Sequence, residues 1–362
     1  MSFFDPAKPY NHLPPLPPKI DLETPSILKA CIEANKELAK LKMAERLIPN
    51  QTVLINTIPL LESQASSAIE NIVTTTDDLF KYADIKSTEV SFEVKETLRY
   101  RTALYQGINA LKKRPISISI ICEICSIIRE IDVNIRNLPG ISLINDLTKE
   151  KIYTPPEGEV LLRMLLSNWQ IYLHQDDNID PLIKLAVQHY QFEAIHPFTD
   201  GNGRTGRIIN LLYLVEKGLL DTSILYLSRY FIKNKSDYYE KLLKVTTHQE
   251  WIGWILYFLE GIRQTAQWTT KKIITIQDLI NHTCDFVQIK APLVYKKELI
   301  ELLFVQPYVR ISNIVDSQLA ERQTASKHLK ILCKIGILEE IKAGREKLFI
   351  NKNFLNLLKD NQ

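Results

Sequence analysis

Twelve consecutive residues, His196-Pro197-Phe198-Thr199-Asp200-Gly201-Asn202-Gly203-Arg204-Thr205-Gly206-Arg207, bring together an imidazole, a carboxylate, an amide, three glycines and two guanidinium groups. An unperturbed histidine has a pKa of about 6.5, so His196 is mostly neutral and able to take a proton at neutral pH. Asp200 offers hard oxygen, the ligand type that Mg²⁺ shares with phosphates. Gly201 and Gly203 let backbone N–H groups come close to an anion, and Gly206 belongs to the same set. Asn202 has amide hydrogens to give to a phosphate oxygen. Arg204 and Arg207, three residues apart on an opening helical turn, share a face and carry forks that match phosphate. A base, a metal-type carboxylate and an anion cradle in one stretch point to chemistry on a nucleotide, with a weakly nucleophilic hydroxyl as the partner that needs the base.

The elements around the run must hold it in place. Ile208, Ile209, Leu211, Leu212, Leu214 and Val215 follow at helical intervals, so the run opens a buried helix whose free N–H groups and dipole attract anions. Helices are also expected over Val160–Leu173 and Pro181–Ile195, and one carrying Trp251 and Trp254 ends near Trp268. Another spans Thr57–Ile72 and bears Glu62, Ser66, Ser67, Glu70 and Asn71. Between Pro139-Gly140 and Pro155-Pro156, residues 141–153 alternate as a β-hairpin does. Seven prolines lie at or before residue 25, and Leu13-Pro14-Pro15-Leu16-Pro17-Pro18 reads as an extended arm over the surface.

Composition bounds the rest. The 362 residues are 45% apolar and 24% charged with a net charge of +3, ordinary for a soluble protein and too little for global attraction to nucleic acid. Glycine is scarce and apolar periodicity long, so the fold class is mainly α. No run approaches the roughly 18 apolar residues of a membrane helix, and no signal peptide stands at the start; the expected location is cytoplasmic, with no membrane partner. Cys122 and Cys125, three apart on an apolar helix, read as core packing. Near residue 290 the pattern resets into three helices, over Leu299–Val305, Ile311–Leu319 and Glu321–Ile335. Two strands follow, Leu338–Lys342 and Lys347–Ile350, giving a C-terminal winged helix-turn-helix. Its cationic side chains, Arg322, Lys327, Lys330, Arg345 and Lys347, leave DNA open as a partner.

The twelve-residue run matches His-Pro-Phe-x-(Asp/Glu)-Gly-Asn-Gly-Arg-x-x-Arg at every fixed position, and in this the chain resembles the Fic family. The resemblance extends from about Leu61 to Trp268. It implies a Fic-type helical core with a β-hairpin flap and a protein adenylyltransferase using ATP and Mg²⁺. His196 would be the base, Asp200 the metal ligand, and Gly201, Asn202, Gly203, Arg204, Gly206 and Arg207 the nucleotide-binding set. AMP would pass to a Ser, Thr or Tyr hydroxyl of a target protein, and of the chain itself, with loss of pyrophosphate. Relatives that act as kinases, the Doc toxins, carry Lys where this chain has Gly203 and bind the nucleotide in reverse; glycine favours AMP transfer. Hairpin 141–153 corresponds to the flap that aligns a target segment by strand addition. Ser66-Ser67-Ala68-Ile69-Glu70-Asn71 matches the family's inhibitory (Ser/Thr)-x-x-x-Glu-(Gly/Asn) pattern, which implies that Ser66, Glu70 and Asn71 form a brake in which Glu70 takes Arg207 in a bidentate pair. Tyr238 and Tyr239 suit either stacking on the base or packing in the core. The expected division is an accessory region at 1–110, a catalytic core at 111–275 and the C-terminal domain at 290–362. A homodimer, a DNA-binding regulator, a module of toxin type and a hydrolase that removes AMP remain open beside the transferase.

Overall fold

The computed structural model describes residues 4–83, 90–144, 148–343 and 346–360. Pro25 stands at the first position of α1 (Pro25–Glu45), where its missing N–H would have had no partner. Ile27, Cys31, Ala34, Leu38 and Leu41 recur every three or four residues and form its buried stripe. α2 (Thr52–Ile69) is largely buried, with Thr57, Glu62, Ser63, Ser66 and Ser67 inside as well as most of its apolar residues. It begins and ends earlier than the expected Thr57–Ile72. Val53 and Leu54 extend the apolar pattern backward, and Pro59 sits within the helix without ending it. The end is set by Asn71 in the left-handed region (φ 62°), with Ile72 N–H on the Ser67 carbonyl and Asn71 N–H on the Ala68 carbonyl, both 3.0 Å. That pair of bonds is a Schellman closure, and it places Glu70 and Asn71 on the turn beyond the helix.

Side-chain caps start the next helices. Thr75 accepts from Asp78 N–H at α3 (Thr76–Tyr82), Ser91 from Val94 N–H at α4 (Phe92–Leu111), and Ser117 from Ile120 N–H at α5 (Ile118–Arg129). Strands β1 (Leu143–Ile144) and β2 (Lys151–Tyr153) pair antiparallel where the hairpin was expected; residues 145–147 at its tip lie outside the described residues. α6 (Glu159–His174) and α7 (Pro181–Ile195) lead to the motif, and α8 (Asn202–Glu216) leaves it, as the sequence pattern required. α9 (Ser228–Lys233), α10 (Lys235–His248) and α11 (Trp251–Lys290) complete this part. α11 does not stop near Trp268. Thr269, Ile273, Ile276, Ile280, Thr283 and Val287 keep the helical period, and no proline or glycine interrupts it before Pro292. Its 40 residues make a rod of about 60 Å, along which α1 packs.

The C-terminal part holds α12 (Lys297–Val305), β3 (Tyr308–Val309), α13 (Ile311–Asp316), α14 (Arg322–Lys334), β4 (Glu339–Ala343), β5 (Glu346–Ile350) and α15 (Lys352–Lys359). The expected three helices and hairpin are there; β3 and α15 are additions. β3 joins the hairpin to give the antiparallel order β3-β5-β4, with Tyr308 opposite Ile350. This part docks on the rest. α12 packs on α2, Lys359 pairs with Asp77 of α3 at 2.8 Å, and Lys272 of α11 donates to the Leu357 and Asp360 carbonyls, both at 2.7 Å. Arg322, Gln323, Lys327, Lys330 and Lys334 lie on the exposed face of α14, Lys347 pairs with Glu340, and Arg345 lies outside the described residues. Among the described residues no helix is long and apolar enough to cross a membrane.

Candidate active site

α7 ends at His196, which takes the left-handed conformation (φ 49°, ψ 61°) and turns the chain into the motif loop. Its Nδ1 lies 3.4 Å from the Glu193 carbonyl. A carbonyl oxygen only accepts, so Nδ1 carries the hydrogen and Nε2 keeps its lone pair. Burial pushes the imidazole pKa down to about 4, and the charge of Arg136 adds to this. The ring is therefore neutral across the physiological range.

Phe198 anchors the loop in the core with its ring fully buried. Asn202 serves the same closure. Its Oδ1 accepts from Phe198 N–H and its Nδ2 donates to the Phe198 carbonyl, both at 2.8 Å. The amide is 2% exposed and staples the loop across four residues, using one of its two amide hydrogens. Gly201, in a backbone conformation that side chains avoid (φ 85°), caps α8. Gly203 matters for another reason: a Cβ there would lie 2.3 Å from Glu70 Oε1, so its absence makes room for the carboxylate. Gly206 packs on Phe192 and Glu193.

The two arginines share the opening turn of α8 but enter different ion pairs. Arg204 is buried and donates to Glu96 of α4 at 2.5 Å; Glu96 also receives Arg99, which pairs in turn with Glu130. Arg207 donates from Nε to Ser66 Oγ at 2.7 Å, and from one terminal nitrogen to the Ser66 carbonyl at 3.0 Å and to Glu70 Oε1 at 2.7 Å. The expected bidentate pair is thus a single Glu70 contact supported by two from Ser66. The cause is the α2 terminus: its last turn presents Ser66, and the turn closed by Asn71 presents Glu70. Asn71 also accepts from Lys235 Nζ at 3.2 Å.

Asp200 is exposed and ion-paired with Arg129 at the end of α5, and Gly201 N–H donates to its Oδ1 at 2.5 Å. Among the described residues no group of three or more His, Cys, Asp or Glu could hold a metal on its own. A lone exposed carboxylate suits Mg²⁺, which keeps waters and completes its shell with substrate phosphates. Tyr238 is not a stacking surface for a base. It is 2% exposed, its hydroxyl meets His189 Nε2 at 2.8 Å, and its ring is packed by Phe231 and Trp254. Tyr239 is exposed.

Four residues beside the site escaped the sequence reading. Glu96 and Arg129 carry no local signal. Arg136 meets the motif only in space. Glu193, three residues before His196, had the signal of being the one acidic residue on α7. Its Oε1 is buried without a hydrogen-bond partner, and burial pushes its pKa up to about 7. A carboxyl whose folded pKa lies above its unfolded one favours folding less as pH rises between the two values. Glu193→Gln is therefore expected to raise stability at pH 8 by about 2 kcal/mol and to change it little at pH 4. Thermal midpoints at both pH values check this; equal effects at the two would refute it.

Comparison with known proteins matches three family models in sequence: Fic/DOC family N-terminal over 28–109, Fic/DOC family over 115–214, and the C-terminal domain of SoFic-like protein adenylyltransferase over 279–354. A probable protein adenylyltransferase of Aquifex aeolicus is 41% identical over 73 residues, covering 20% of this chain and 22% of the relative. Protein adenylyltransferase fic-1 of Caenorhabditis elegans is 30% identical over 108 residues (27% and 21%). Protein adenylyltransferase Fic of Nematostella vectensis is 35% identical over 91 residues (25% and 20%). The matched stretch is about a fifth of each relative's length. A crystal structure of a Fic family protein from Desulfovibrio desulfuricans G20 superposes with a TM-score of 0.60 at 17% identity, covering 92% of this chain and 98% of that one, a likeness of fold.

Proposed function

The chain belongs to the Fic family, and on that premise we propose that it transfers AMP from ATP to a Ser, Thr or Tyr hydroxyl of a target protein and of itself. The observation that carries the reading is a neutral histidine with a free Nε2 on the turn that feeds a glycine-opened helix N-terminus. In the proposed reaction His196 Nε2 takes the proton of the hydroxyl. The hydroxyl oxygen forms a bond to the α-phosphorus as the bond to the bridging oxygen of pyrophosphate breaks in line, and pyrophosphate leaves. The N–H groups at the start of α8 face the phosphates, approached closely at Gly203, and Arg207 holds the far end of the triphosphate. Asp200 would hold Mg²⁺ arriving with the nucleotide; when bound, the ion offsets phosphate charge. Arg129 must then release Asp200. Arg204, paired with Glu96, is the second guanidinium on this turn available to the phosphates. The flap, residues 141–153, offers an edge for a target backbone.

Glu70 is the brake. While it holds Arg207, that guanidinium is unavailable to the γ-phosphate, and the carboxylate adds negative charge where the triphosphate should lie. The reaction class is tested by supplying Mg²⁺ and ATP labelled at either the α- or the γ-phosphate to the Glu70→Gly protein. Expected are covalent α-label and one pyrophosphate per label. Transfer of γ-label, or no transfer in a folded protein that binds ATP, would overturn the reading.

A further inference from the structure

His196 occupies a conformation its own sequence opposes. A residue before proline favours extended backbone, and a side chain in the left-handed region costs roughly 1 kcal/mol. Pro197 has no N–H to tie the turn from the next position. The last carbonyls of α7 also lack helical partners. Something outside the helix must fix this turn.

Arg136 meets that need. It lies on the segment between α5 and the flap, is 4% exposed, and forms no ion pair among the described residues. Its donors go to carbonyl oxygens instead. Nε donates to His196 at 2.8 Å, one terminal nitrogen to Ile195 at 3.4 Å and to Pro156, and the backbone N–H to Pro197 at 2.9 Å. Three consecutive carbonyls around the histidine thus converge on one residue, and the same guanidinium grips Pro156 at the root of the flap. A cation at a helix C-terminus is favourable, and only the planar fork of arginine reaches several acceptors at once.

We propose that Arg136 is a positioning residue for His196, a clasp that fixes the approach of the imidazole and ties it to the root of the flap. The proposal rests on the reading of His196 as the base. Arg136 touches neither nucleotide-binding side chain nor phosphate seat, so its loss should affect the proton-transfer geometry and spare ATP binding. Its charge also helps keep the ring neutral. Of the other groups around the ring, burial acts in the same direction, whereas the Glu193 carbonyl and the Glu70 carboxylate favour the charged form.

The test uses the full chain in the Glu70→Gly background with Arg136→Gln and Arg136→Lys. ATP affinity is read by calorimetry, AMP transfer by α-label, and the His196 titration by NMR of the imidazole nitrogens, assigned by its loss in His196→Ala. Arg136→Gln is expected to lower kcat roughly 10- to 100-fold with ATP Kd unchanged, and to move the His196 titration up toward its ordinary value. Arg136→Lys keeps the charge without the fork, so its titration should stay low while the rate still falls. Wild-type kcat in either folded variant, or an unmoved titration in Arg136→Gln, overturns the proposal. So does an equal loss of ATP affinity, which would mark a general structural role. Should Arg136→Gln not fold, Arg136→Lys decides by the same criteria. Absence of AMP transfer in Glu70→Gly with Arg136 intact would instead fault the proposed function, and the NMR titration would still report on the clasp.

Discussion

Glu70→Gly is expected to transfer AMP roughly 100-fold faster than the wild type. The size follows from what the carboxylate prevents: a triphosphate displaced by about 1 Å from the in-line position loses on the order of 10² in rate. Glu70 lies 2.7 Å from Arg207, and its Oε1 fills the space beside Gly203. Removing it clears both the partner and the volume the phosphates need. Arg207 does not lose its orientation, because Ser66 still receives two of its donors at 2.7 and 3.0 Å. Nor should the fold suffer, since residue 70 is the C-cap of α2 and not an interior helical position, where glycine costs most. Acid does not imitate the mutation. Burial alone would raise the Glu70 pKa, but the adjacent Arg207 charge and hydrogen bond bring it below the ordinary value, so the brake stays charged at mild pH. A folded Glu70→Gly protein with an unchanged or lower rate would refute the brake.

His196→Ala, made in the Glu70→Gly background, is expected to lower the rate by about 10² to 10⁴, the usual range for losing a positioned general base. ATP binding should be retained, because in the proposed reaction the imidazole, tied to the Glu193 carbonyl, acts on the hydroxyl and not on the nucleotide. The pH profile of the parent should be flat from pH 6 to 8. His196 is neutral there, since burial and Arg136 hold its pKa down to about 4, and activity should fall only as pH approaches that value. A His196→Ala protein that binds ATP and still transfers AMP at the parent rate would remove the histidine from the mechanism.

The sequence could disclose whatever is carried by neighbours along the chain. Pro181 and Ile195 bound α7 as expected, because proline starts the helix and the motif ends it. The hairpin and the helices near the C-terminus were readable from alternation and apolar spacing. Ser66, Glu70 and Arg207 were found as short patterns, although their meeting spans 137 residues between Glu70 and Arg207. What stayed hidden depends on pairing across the fold. Glu96 reaches Arg204 over 108 residues, and Arg136 reaches His196 over 60, with no local pattern to announce either. Tyr238 shows the opposite difficulty. Its ring suits a nucleotide base, but an aromatic core had already claimed it.

The absence of a side chain at residue 203 has a historical consequence. A Cβ there would collide with the free end of the Glu70 side chain, which can swing away, rather than with rigid backbone. Mutation at 203 would therefore leave the fold standing and evict the glutamate. Relatives with lysine at this position could not keep a restraint of this geometry in place. A lineage passing from one nucleotide orientation to the other would cross an unrestrained intermediate at its first step, and its survival would depend on some other control being in force already.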